Sequence, residues 1–197
     1  MRALPAVVSV FAGTTLVVLG FLFAGQPTGT PVDAGIRDYL RSLHEPWRQI
    51  ALVIDWTGEP VGYVFVLAIM VIVFLRKGNQ RSALLAVAGS AAAVAVTTGM
   101  KPLVGRTING GFLSFPSGHT ATATSFALVA TLAAGRLWLT AVVTVLAAAA
   151  MAWAQMLLNA HYPTDTLGGF CAALAIVPAV AWAVDWLAAR RSGGTPV

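Results

Sequence analysis

No charged residue occurs between Arg2 and Asp33, and further uncharged stretches fill positions 60–75, 82–100, 137–158 and 166–184. A run of about 20 apolar residues is what one helix needs to cross the hydrocarbon of a bilayer. Composition agrees: 58% of the residues are apolar and only 10% are charged, against about a quarter charged in a soluble domain. Mean hydropathy is +0.81. Such a chain cannot clothe a water-facing surface, which excludes a soluble globular enzyme, a disordered protein and a nucleic-acid binder. The net charge of +5 then reports topology rather than an anionic partner.

The length of 197 residues allows at most six or seven spans, so the expectation is an all-α, polytopic membrane protein, a six-helix bundle forming one domain over residues 1–197. The charges place the spans near Leu4–Ala24, Ile50–Leu75, Ser82–Met100, Ser117 to just before Arg136, Leu137–Leu158 and Thr166–Leu187. The second is interrupted near its start by Asp55, Gly58, Glu59 and Pro60. Six spans put both termini on one side. That side carries Arg2, Arg76, Lys77, Arg81, Arg136, Arg190 and Arg191, against Arg37, Arg41, Arg48, Lys101 and Arg106 on the other. The bias makes the termini cytoplasmic and turns the 25–47, 101–116 and 159–165 loops outward. The first span also resembles a secretory signal peptide, but its apolar run is longer than a usual signal core; cleavage would leave five spans and the same outward loops. The single cysteine, Cys171, permits no disulfide within the chain. Between the first two spans Val32, Ile36, Tyr39, Leu40, Leu43 and Trp47 recur at helical spacing. They describe an amphipathic connector packed on the bundle or a helix at the bilayer surface.

Ionisable residues at membrane depth are expensive and default to functional candidates. Three clusters fall at the same expected face: Lys101-Pro-Leu-Val-Gly-Arg106, Pro116-Ser117-Gly118-His119 and His161-Tyr-Pro-Thr-Asp165. Individually each has a plain reading. Ser117 and Asp165 suit helix caps, and Lys101 and Arg106 suit interfacial snorkelling. Together they describe an anion site with two imidazoles. A helix start at Ser117 and Gly118 offers free N–H groups to phosphate, and Lys101 and Arg106 add cationic contacts. His161 and Asp165, four residues apart, can pair so that the carboxylate orients the ring and leaves its far nitrogen free to attack; His119 can then protonate a leaving oxygen. No metal-binding spacing is present, so neither metal nor cofactor is expected. His44 has no partner pattern and is expected to face solvent.

These residues resemble the type 2 phosphatidic acid phosphatase superfamily, which includes bacterial membrane lipid phosphatases. Its motifs are Lys-x6-Arg-Pro, Pro-Ser-Gly-His and Ser-Arg-x5-His-x3-Asp. The second stands intact at Pro116–His119, and His161 and Asp165 keep the end of the third. Two arginines are missing: Ile108-Asn109 stands where Arg-Pro is expected, and Ala154-Gln155 where Ser-Arg is expected. The resemblance implies metal-independent hydrolysis of a lipid phosphate or pyrophosphate at the outer face of a bacterial inner membrane, through a phosphohistidine on His161. Asp165 would orient the ring and His119 would act as acid, while Lys101, Ser117, Gly118 and Arg106 hold the phosphoryl oxygens. A polyprenyl-linked phosphate fits the setting. The alternative reading is a non-catalytic descendant that binds or moves a phospholipid. A soluble haloperoxidase is disfavoured by the spans.

Overall fold

The computed structural model describes residues 3–191. Met1, Arg2 and the tail after Arg191 lie outside them, as does the Arg191 side chain, so the topological count that includes Arg2 and Arg191 is only partly covered. The chain is helical: α1 (Ala3–Leu22), α2 (Pro31–Arg41), α3 (Trp47–Trp56), α4 (Pro60–Arg76), α5 (Gln80–Val104), α6 (Gly118–Leu132), α7 (Leu137–Leu157) and α8 (Pro163–Arg191). One departure from an all-α chain is a minimal antiparallel hairpin, β1 (Thr107–Ile108) with β2 (Phe112–Leu113). Asn109, Gly110 and Gly111 turn it with positive φ angles, which is what asparagine and glycine tolerate best.

The expected spans coincide with helices, but the count of six is not reached on length alone. Among the described residues four helices, α1, α5, α7 and α8, are long and apolar enough to cross a membrane. The interrupted second span is a pair, α3 and α4, bent by 64° at the Thr57–Glu59 break. Pro60 opens α4 at a position where its missing N–H costs nothing. The fourth expected span is α6, which has only 15 residues, short of the length a span needs.

Outward faces are apolar. Phe11 and Phe21 of α1, Val61 of α4 and Trp182 of α8 are all exposed, the pattern of a bundle that meets lipid rather than water. Inside, three apolar clusters hold the helices. Ala12 and Leu16 of α1 pack with Val104 of α5 and Cys171, Ala172 and Ala175 of α8. Phe74 of α4 joins Leu85 and Ala86 of α5, Leu128 and Val129 of α6 and Val177 of α8. Leu40 of α2 and Ala51 of α3 meet Ala154 and Leu157 of α7. The amphipathic connector is α2. It turns Asp33 and Leu40 to the bundle and leaves Val32, Ile36 and Tyr39 exposed.

One close approach sets the geometry of the functional end. A Cβ at Gly169 of α8 would lie 2.2 Å from the backbone carbonyl oxygen of Ser117. Only glycine lets α8 press against the start of α6 at this distance, and this contact brings the third motif cluster to the second.

Candidate active site

The end of α5, the start of α6, the end of α7 and the start of α8 converge at one end of the bundle. Ser117 is the N-cap of α6. Its hydroxyl accepts from the Thr120 N–H at 3.3 Å, and its own N–H donates to the Asp165 carbonyl at 3.0 Å. Gly118 and His119 follow as the first helical residues, whose N–H groups have no acceptor within a helix. Ser117 is wholly buried and its hydroxyl is engaged as the cap of this helix start.

His161 is buried in the short loop between α7 and α8. Its backbone N–H reaches the Gln155 carbonyl at 3.4 Å, and its Nδ1 lies 3.6 Å from Oδ2 of Asp165. That distance is too long for a hydrogen bond, so Nδ1 is buried with no partner. Such contacts commonly tighten only when substrate binds. Asp165 stands in the first turn of α8 and also accepts the Tyr162 N–H at 3.0 Å, the N3-to-N-cap half of a capping box. Burial pushes the His161 imidazole below its ordinary 6.5; the charges of Lys101 and His119 act in the same direction, and Asp165 opposes them. Lys101, near the end of α5, is half-buried, and its charge is felt by both His161 and Asp165.

Arg106, expected beside the phosphate, lies against two carboxylates. It is fully buried, with Nη1 at 2.6 Å from Oδ1 of Asp165 and Nη2 at 2.7 Å from Oδ2 of Asp33. The guanidinium lies over the rings of Phe23 at 4.2 Å and Tyr162 at 4.6 Å. In this structure the two Nη atoms of the guanidinium hold carboxylates, while its Nε is buried without a hydrogen-bond partner among the described residues. Asp33 accepts in addition from the Thr164 N–H at 3.1 Å and the Thr30 N–H at 3.0 Å. Burial alone would raise the Asp33 carboxyl, but the bonds from Arg106, Thr30 and Thr164 outweigh it and hold the group below its ordinary 3.8.

Around His119 the fold gathers residues that sequence spacing did not single out. Its Nε2 lies 3.6 Å from Asp55 and 3.5 Å from Glu59. These carboxylates flank the α3–α4 break, whose Gly58 sits so close that a Cβ would fall 2.3 Å from the imidazole. The interruption of the second span by Asp55, Gly58 and Glu59 was the signal available in the sequence; that it lands on His119 is a product of the bend. Asp55, Glu59 and His119 place their ligand atoms within 4.8 Å of one another, so a cation could be held there. The two positions without arginine are both closed. Ile108 is buried, and the buried Gln155 turns its amide to Asp55. His44 is exposed.

An apolar groove of about 230 Å³ lies between α6, α7 and α8, lined by Thr120, Ala148, Ala152, Thr166, Leu167 and Phe170. Thr120 and Thr166 directly follow His119 and Asp165 in the chain, which puts one end of the groove beside the polar cluster.

Residues 98–189 match the family model described as the PAP2 superfamily. No curated protein matches the sequence. Among solved structures, the fold is similar to that of the transmembrane PAP2-type phosphatidylglycerolphosphate phosphatase from Bacillus subtilis, with a TM-score of 0.69 and 18% identity over 90% of this chain and 95% of that one. It is also similar to LpxE of Aquifex aeolicus, with a TM-score of 0.60 and 16% identity over 77% of this chain and 95% of that one. The stretch that carries all three motif clusters, residues 98–189, is thus the part that matches the PAP2 superfamily model, set in a multi-helix fold similar to that of a transmembrane PAP2-type phosphatase.

Proposed function

We propose that the protein is an integral membrane phosphatase that hydrolyses a phosphomonoester or pyrophosphate of a lipid through a phosphohistidine. The observation that carries this reading is the juxtaposition of His161, Asp165 and Lys101 with the free helix start at Gly118 and His119. Nε2 of His161 attacks phosphorus while Nδ1 faces Asp165. The phosphoryl oxygens lie against Lys101 and the N–H groups of Gly118 and His119, where the helix dipole favours an anion. His119 protonates the leaving oxygen; water, giving its proton to the now neutral His119, then attacks the phosphohistidine, breaks the N–P bond and releases phosphate. Each step conserves charge through groups already in place, and none uses the Asp55–Glu59–His119 cluster as a metal centre.

The apolar groove beside the cluster supports a substrate with a hydrocarbon chain, such as a polyprenyl phosphate or pyrophosphate, phosphatidic acid, phosphatidylglycerophosphate or a polyprenyl-phosphosugar phosphate. The site is assigned to the outer face of a bacterial inner membrane, with both termini cytoplasmic, on the distribution of basic residues. Purified protein in detergent with excess chelator is expected to release phosphate from one or more of these lipids, and His161→Ala is expected to release none. Equal release by the two proteins would sink the assignment. A second reading, a non-catalytic phospholipid-binding descendant, draws on the closed positions of Ile108 and Gln155. Tight lipid binding without turnover on any member of the panel would favour it.

A further inference from the structure

The proposed reaction leaves two buried charged residues without a task. We propose that Arg106 and Asp33 are positioning residues for it: Asp33 braces the Arg106 guanidinium, which in turn fixes Asp165 so that its second oxygen faces the His161 ring. This inference rests on the reading of His161 as nucleophile.

The carboxylate of Asp165 is held at both ends. Oδ1 receives Nη1 of Arg106 at 2.6 Å, and Oδ2 receives the Tyr162 N–H at 3.0 Å. With Oδ1 engaged, Oδ2 is the oxygen left to meet Nδ1 of His161, and the carboxylate cannot rotate without breaking a charged hydrogen bond. The guanidinium is fixed in its turn. Nη2 is tied to Asp33 at 2.7 Å, Nη1 also reaches the Thr164 hydroxyl at 2.6 Å, and the rings of Phe23 and Tyr162 pack against the guanidinium. Two acceptors in different directions need the planar fork of arginine; the point charge of a lysine serves one of them.

Asp33 completes the chain of contacts from outside the matched segment. It is the N3 residue of α2, in a capping box with Thr30, and it also accepts from the N–H and hydroxyl of Thr164. Thr164 directly precedes Asp165, so one carboxylate joins α2 to the first turn of α8. A buried group of two carboxylates and one guanidinium is a poor device for stability alone, because apolar replacements of the same volume often do as well or better. Its geometry instead serves orientation.

The groups that face His161 come from several elements: Lys101 from α5, His119 from α6 and Asp165 from α8, the last in contact with Arg106 and, through it, Asp33 of α2. Removing the Arg106 charge leaves Asp165 unshared beside the ring, so the His161 titration moves upward. The test compares wild type with Arg106→Met, Arg106→Lys and Asp33→Asn in detergent, after thermal unfolding confirms a folded state. Two readouts are taken: lipid phosphatase kinetics across pH, and the 15N chemical shifts of the histidine rings across pH. For Arg106→Met we expect kcat to fall about 10- to 100-fold, the range seen when the partner of a functional ligand is lost, with KM little changed. The acid limb and the His161 titration are both expected to move up. Arg106→Lys restores part of kcat, and Asp33→Asn, which keeps the shape but turns one acceptor oxygen into an amide donor, falls between. A folded Arg106→Met or Asp33→Asn protein with wild-type kcat and an unmoved His161 titration overturns the proposal. So does a raised KM with unchanged kcat, which would put Arg106 on the substrate. Loss of turnover by wild type itself counts against the phosphatase reading, while the ring titration still decides the positioning.

Discussion

Gln155 of α7 donates its side-chain amide to the carboxylate of Asp55, at the end of α3 and 100 residues away in sequence. The position that the motif pattern would give to a phosphate-binding arginine is thereby turned to a different use, holding an acid beside His119. Gln155→Met keeps the volume and removes the bond. One such bond is worth about 1.4 kcal/mol, or about tenfold in rate, so kcat for phosphate release is expected to drop about tenfold. Gln155→Arg, which still reaches Asp55, is expected to retain wild-type activity or exceed it. Steady-state kinetics of the two variants decide the matter; an unchanged kcat in Gln155→Met would mean that Asp55 needs no such partner.

Gly169 and Gly99 should respond oppositely to the same change. A Cβ at Gly169 meets the Ser117 carbonyl oxygen at 2.2 Å, whereas one at Gly99 meets nothing within 4 Å. Gly169→Ala forces α8 away from α6, at about 1–3 kcal/mol for overpacking, and separates His161 and Asp165 from the α6 start. Gly99→Ala removes only unfolded-state freedom and should be neutral or stabilising by about 0.4–1 kcal/mol. Thermal unfolding in detergent, paired with an activity assay, reads both. A Gly169→Ala protein as stable and active as wild type would contradict the packing.

Burial holds the His161 imidazole below its ordinary 6.5, and Asp165 only partly offsets this. The folded protein therefore binds fewer protons there than the unfolded chain between the folded value and 6.5. The contribution to stability is intact above 6.5 and is lost as pH falls through 6.5 toward the folded value. The same displacement keeps the ring neutral and nucleophilic, so the acid limb of kcat/KM should lie below 6.5. A pH–rate profile whose acid limb sits above that value would contradict this environment for His161.

The outward assignment of the site has a direct check. Phe112, on β2 beside the site, is exposed, and the native Cys171 is buried. Phe112→Cys in a Cys171→Ala background should react with a membrane-impermeant thiol reagent in intact cells. Protection until the cells are opened would place the site on the cytoplasmic side.

The membrane architecture was legible because the chain is so short of charge: each uncharged run between Arg2 and Asp33, after Pro60 and after Leu137 became a helix. His161, Asp165, His119 and Lys101 were legible as candidates because the motif order survives, and the fold brings them to one end of the bundle. What could not be read was the pairing of charges across distant segments. Arg106 carries the same residue type whether it grips phosphate or carboxylates, and only the fold shows Asp33, 73 residues upstream, at its Nη2. Asp55 and Glu59 read only as an interruption of a span, because nothing in the local sequence shows that the 64° bend turns them onto His119. The brevity of α6 was also hidden, since the apolar residues continue past Leu132 while the helix does not.

The central claim is that His161 takes the phosphoryl group. Phosphohistidine survives base and is lost in acid, so the reaction with a lipid phosphate should be quenched in alkali within the first turnover and digested for mass spectrometry. The account predicts a phosphoryl group on the peptide that contains His161, absent from the His161→Ala protein and never on His119. Turnover with no phosphorylated peptide, or with the label on His119, would contradict it.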